Sequence, residues 1–272
     1  MRLLSRIPPD VTPDHATLTM YARALEALDA RAVPFLVGGT WSLKHHCGIV
    51  RDTKDVDLFV ARRDLDATLA ALEADGFRTE RTFPHWLAKA WSDDRFLDVI
   101  YDSGNGAAPV DDGWFAHAEP GTLLGVPVRI CPAEESIWSK SFIMERERFD
   151  GADVLHLLHA KRATLDWPRL VARFGENHRV LLAHLVLFGY VYPQEARDVP
   201  AWVMEWLIGR LRDDAVVDAP PADAPVCRGT LLSRQQYLVD LERGHRDGRL
   251  PPTGTMSEED VASWTAAIWA QL

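Results

Sequence analysis

The sequence predicts an α+β chain, with a mixed sheet and flanking helices over residues 1–131 and a mostly helical C-terminal domain over residues 132–272. Three observations predict this. Short apolar runs bounded by glycine, proline or aspartate alternate with helical repeats through the first hundred residues. A hairpin pattern, "TLLGVPVRICP", closes that half, and beyond about residue 132 the apolar spacing keeps to threes and fours with almost no strand pattern. The change of period marks the domain boundary.

The elements follow in order. Residues 12–31, "TPDHATLTMYARALEALDAR", read as an amphipathic helix behind a threonine-proline start. "VPFLVGG" reads as a short buried strand, and "TWSLKHHCG" as a helix of about two turns between a threonine and a glycine stop. "DVDLFV" is the next strand and "RRDLDATLAALEADG" the next helix. "FRTERTF", "WLAKAW" and "RFLDVIYD" follow as strands, the last two joined by the "SDD" turn. In the second half, "AEESIWSKSFIMERERF", "GADVLHLLHAKRA", "DWPRLVARFG", "ENHRVLLAHLVLFGYVY" and "PAWVMEWLIGRLRDD" all have helical periodicity. "DAPPADAP" and "RDGRLPPTGTMSEED" read as loops, the second leading into a last helix.

Composition excludes several classes. Of 272 residues, 47% are hydrophobic, enough for packed cores. The N-terminus lacks an apolar run of signal-peptide length, and "VLLAHLVLFGYVY" is too short to span a bilayer, so the expectation is a cytoplasmic protein without a membrane partner. Cys47, Cys131 and Cys227 are too scattered for a zinc site or a disulfide framework. A net charge of −10, with no basic run, disfavours tracking of a long nucleic acid, whose affinity comes from phosphate neutralisation.

The chemistry concentrates in "FLVGGTWSLKHHCGIVRDTKDVDLFV". On a strand, residues i and i+2 share a face with α-carbons roughly 7 Å apart, so Asp55 and Asp57 converge. Two anions so placed repel, and a divalent cation is the simplest offset. Oxygen-only ligands suit Mg²⁺, which shares its coordination with phosphate oxygens. Gly38 and Gly39 end a strand where a ligand can approach the backbone, and the helix beginning near Thr40 offers N–H groups to phosphate. The lysine-serine or lysine-threonine ending of a Walker loop is missing.

Val37-Gly38-Gly39 followed by Asp55-Val56-Asp57 on a strand resembles the nucleotidyltransferase superfamily related to DNA polymerase β. The resemblance covers roughly residues 33–102. It implies a nucleotidyltransferase-like mixed sheet, a catalytic domain over residues 1–131, and a third carboxylate on a later strand, which Asp98 in "FLDVIYD" supplies; Asp102 is the poorer candidate. The helical half is also similar to antitoxin- and toxin-associated bacterial members, through Glu134, Lys140, Arg146, Arg148, Asp150 and Asp153.

The function implied is transfer of a nucleoside monophosphate from an NTP, ATP among them, to an acceptor that is a small molecule, a protein or an RNA end, with release of pyrophosphate. Asp55, Asp57 and Asp98 would hold Mg²⁺ and serve catalysis, while Gly38, Gly39 and Thr40 would cradle phosphates. Thr40 is read equally well as a helix N-cap. Lys44 and Lys140 are second-rank phosphate ligands, more readily read as solvated. The histidines receive no chemistry, and the tryptophans, Trp138, Trp202 and Trp206 among them, are read mostly as core. A small cationic acceptor is favoured by the acidic charge. The alternative is a catalytically silent nucleotide- or partner-binding module, such as a toxin–antitoxin component.

Overall fold

The structure is a computed structural model that describes residues 14–50, 55–216 and 225–267. Two compact units result. The first takes the chain up to Thr82, then Ala88–Tyr101 and Val110–Cys131; the second takes Phe83–Leu87, Asp102–Pro109 and everything from Pro132 onward. The two short stretches of the second unit lie inside the expected first domain, where nothing in the apolar period distinguishes them.

The first unit begins with α1 (His15–Asp29), capped by the Asp14 side chain, which accepts from the Thr17 N–H. The Thr12-Pro13 start expected for this helix lies outside the described residues. There follow β1 (Leu36–Val37), α2 (Gly39–Cys47), β2 (Asp57–Phe59), α3 (Leu65–Ala74), β3 (Arg78–Phe83), β4 (Leu87–Ser92), β5 (Arg95–Ile100), α4 (Asp112–Ala116), β6 (Glu119–Leu123) and β7 (Val126–Ile130). The strands form one seven-stranded sheet in the order β3-β4-β5-β2-β1-β7-β6. β1 is antiparallel to β2 and parallel to β7, β2 is parallel to β5, and β6 is antiparallel to β7. It is the mixed sheet with flanking helices that the sequence predicts.

Alternation along β2 and β5 decides which face carries chemistry. Val56, Leu58 and Val60 are buried, as are Leu97, Val99 and Tyr101, and they join Tyr21, Ala24, Leu25 and Leu28 of α1 and Leu65, Leu69 and Leu72 of α3 in one core. Burying each such side chain contributes about 1.5–3 kcal/mol. The intervening residues, Asp57, Phe59, Asp98 and Ile100, are only partly buried and face the other way.

In the second unit the chain forms α5 (Ala133–Ser141), α6 (Gly151–Lys161), α7 (Trp167–Phe174), α8 (His178–Val191), α9 (Ala201–Val216), β8 (Val226–Cys227), α10 (Leu238–Glu242), β9 (Arg246–Asp247) and α11 (Glu258–Ala266). The parallel β8–β9 pair is unexpected, since two residues carry no period to read. Glu134 and Glu135 are buried on α5 and are held by Arg169 of α7, whose Nη2 lies 2.6 Å from Glu134 and whose Nη1 lies 2.5 Å from Glu135. Trp138 is core as expected, whereas Trp202 and Trp206 are 42% and 39% exposed on α9. The helical period of those two tryptophans reflects a face that this unit leaves open. The three cysteines are free thiols, with Cys131 buried. Among the described residues, no helix is long and apolar enough to cross a membrane.

Candidate active site

The glycine pair sits at the junction of β1 and α2. Gly38 is the N-cap of α2 and makes no side-chain cap, so Thr40 lies in the first turn and is not the N-cap. Gly38 donates its N–H to the Asp57 carbonyl at 2.9 Å, and a Cβ there would lie 2.2 Å from the Phe59 ring. Gly39 is more constrained still. Its φ of +55° is a left-handed conformation, and a Cβ would lie 1.7 Å from Asp57 Oδ2. The Asp57 carboxylate therefore rests against the first residue of α2, where the helix dipole favours a negative charge.

Asp57 and Asp98 are register partners on the adjacent parallel strands β2 and β5, and the Asp98 N–H bonds the Val56 carbonyl at 3.0 Å. That pair opens the ladder. Asp55 consequently lies on a bend before β2 and not on the strand, a correction to the simple i, i+2 picture. It remains a neighbour: its charge helps raise the pKa of Asp98. Burial is the larger cause of that rise, and the hydrogen bond and charge of Lys89 oppose it. Lys89 Nζ lies 2.5 Å from Asp98 Oδ1, with both side chains less than one-fifth exposed.

Two residues coupled to these aspartates are not singled out in the sequence. Lys89 had a signal, a cation inside the otherwise apolar "LAKAW" strand. Tyr21 had none. Its hydroxyl is held far above the usual phenol range by burial, with further contributions from the charges of Asp55, Asp57 and Asp98, while its ring packs in the core on the α1 side of the sheet. The three aspartates border one patch, although among the described residues they do not gather a ligand atom each within 4.8 Å of one another.

The two candidate lysines have these surroundings. Lys44 is exposed near the C-terminal end of α2, its Nζ 5.6 Å from the centroid of the Trp41 ring. Lys140, at the end of α5, pairs with Asp150 and Asp153 at 2.9 Å each. Arg148 completes that cluster, with Nε 2.9 Å from Asp150. Burial pushes the Asp150 carboxyl up, but Arg148 and Lys140 outweigh it and hold it below the ordinary value.

No protein-family model matches this chain, and no curated protein matches it. Among solved structures it is similar to the antibiotic-resistance factor ANT(2'')-Ia in complex with adenylyl-2''-tobramycin, at 20% identity over 74% of this chain and 99% of that one, with a TM-score of 0.37. It is similar to the lincosamide antibiotic adenylyltransferase LnuA, at 15% identity over 54% and 97% of the two chains, TM-score 0.39. It is also similar to an antigenic nucleotidyltransferase-like protein from Paracoccidioides brasiliensis, at 16% identity over 68% and 93%, TM-score 0.42.

Proposed function

We propose that this chain is a Mg²⁺-dependent nucleotidyltransferase that moves a nucleoside monophosphate from an NTP to a small-molecule acceptor, with release of pyrophosphate. The observation that carries the reading is the seat of Asp57. A carboxylate packed against a left-handed glycine at a helix N-terminus, in register with a second carboxylate on the next strand, joins an anion-binding backbone to an oxygen-only donor set. These donors fit a hard cation. Asp55, Asp57 and Asp98 would hold Mg²⁺, which when bound neutralises a triphosphate and orients in-line attack.

The chain's own groups then divide the work. The first-turn N–H groups of α2, from Gly39 and Thr40, receive phosphate oxygens. Lys89 fixes Asp98 through Oδ1, which holds that carboxylate in place to ligate the cation and to take up the acceptor's proton. Positioning and charge stabilisation supply most of such a transfer, so little covalent work is asked of the protein.

One observation favours a second reading. Lys89 already neutralises Asp98, as a silent nucleotide-binding module would require. Thermal melting separates the two from a non-binding fold. An NTP with Mg²⁺ at a hundred times its dissociation constant should stabilise the chain by about 2.7 kcal/mol, and either alone by much less. An equal shift in EDTA would contradict a metal-bridged site, and a shift without turnover would select the silent module.

A further inference from the structure

We propose that His45, His46 and Glu119 form a binding site for a divalent transition-metal ion of the zinc class, separate from the aspartate patch. His45 and His46 stand in the last turn of α2, and Glu119 opens β6. One ligand atom from each lies within 4.8 Å of the others. His45 Nε2 is 3.1 Å from Glu119 Oε2, and His46 Nδ1 is 3.8 Å from Glu119 Oε1. Two ligands each about 2 Å from a shared zinc ion lie roughly 3–4 Å apart, so each histidine–carboxylate pair already has that spacing, and the set needs only a small closure.

The backbone selects the tautomer. His46 is fully buried in its side chain, and its Nε2 lies 2.8 Å from the Cys131 carbonyl oxygen, to which Ser42 also donates. A carbonyl only accepts, so Nε2 carries the hydrogen and the neutral ring keeps its lone pair on Nδ1, the nitrogen on the Glu119 side. A ligating imidazole is commonly oriented in this way, by donating its other N–H to a backbone carbonyl. The Cys131 N–H in turn bonds the Val37 carbonyl at 2.9 Å, which anchors the ring to the strand that feeds the glycine turn.

The donor set determines the metal class. Two imidazoles and one carboxylate suit zinc, copper or nickel, whereas magnesium takes oxygen ligands. The C-terminal turn of α2 adds the negative end of the helix dipole. The side chains of His45 and Glu119 are 31% and 38% exposed, so remaining coordination positions open to water. The bound ion would tie the end of α2 to the edge strand β6.

The test uses the full chain free of any purification tag and stripped of metal. With excess Mg²⁺ present to fill the aspartate patch, titration with Co²⁺ should give about one equivalent bound, with visible absorption bands that Zn²⁺ abolishes. Zn²⁺ should also raise the melting temperature, and Mg²⁺ should not compete. His45→Ala and Glu119→Gln, both at partly exposed positions, should stay folded and bind Co²⁺ at least about tenfold more weakly. His117→Ala, at an exposed position off the cluster, should bind as the parent does. Unchanged Co²⁺ binding in both His45→Ala and Glu119→Gln would overturn the proposal, as would a parent that binds no equivalent in excess Mg²⁺.

Discussion

Gly39 and Asp57 make a mutual constraint that neither residue explains alone. Gly39→Ala must displace the carboxylate and also adopt φ +55°, a strain of about 1–3 kcal/mol. We predict that loss of stability together with a fall in transfer of about a hundredfold, the size of effect expected from misplacing a reacting group by an ångström. Gly76→Ala is the control. Its φ is +86° but nothing lies within 4 Å of the added Cβ, so it should lose stability and keep turnover. Lys89→Met tests the other carboxylate. It leaves Asp98 mostly buried without its cation, which should destabilise the metal-free chain by about 2–3 kcal/mol, and Mg²⁺ should restore more stability to the variant than to the parent. Asp57 was legible in sequence because period-2 alternation sets its face, and Asp98 because the family resemblance points to it. Lys89 reaches the patch through sheet order, which spacing along the chain does not encode.

At the scale of elements, β2 illustrates the limits of pattern reading. "DVDLFV" has the alternation of a six-residue strand, yet the strand is Asp57–Phe59, because the ladder with β5 begins at the Asp57–Asp98 pair. Helix starts were legible where a capping side chain opens the periodic segment, as Asp166 does for α7 by accepting from the Arg169 N–H, whereas α11 starts at Glu258, capped by Ser257, inside a stretch that reads as loop. The start of α2 was read one residue late because its cap is a bare glycine. The α5–α6 junction carries its own prediction. Asp150 has its carboxyl held below the ordinary value, so its paired form contributes full stability above the unfolded value of about 3.9 and loses it as pH falls through the folded one. Lys140→Met leaves two buried carboxylates short of a cation and should cost about 3 kcal/mol at neutral pH. Denaturant melts at a series of pH values should show that loss beginning to shrink below about pH 4, where Asp150 protonates in the unfolded state, and shrinking further as pH falls through its lower folded value.

For the whole molecule, charge limits the acceptor. The chain has 17 basic against 24 acidic residues up to Asp150, and 13 against 16 beyond it, so neither half neutralises a phosphate backbone. Binding to random RNA or DNA should be weak and only shallowly dependent on salt, whereas a slope equivalent to six or more phosphate contacts would contradict a small-molecule acceptor. The sheet and the helical half were legible because long periodic segments dominate them. The stretches Phe83–Leu87 and Asp102–Pro109 were not, because their allegiance to the second unit is set by tertiary contacts. The most direct measurement of the central claim compares parent and Asp57→Asn, matched for melting temperature, with an α-labelled NTP, Mg²⁺ and a cell extract. The account predicts that the parent moves label into a small-molecule fraction and releases pyrophosphate, and that Asp57→Asn does so at least about a hundredfold more slowly. Label transferred equally by both, or by neither across all four nucleotides, would contradict it.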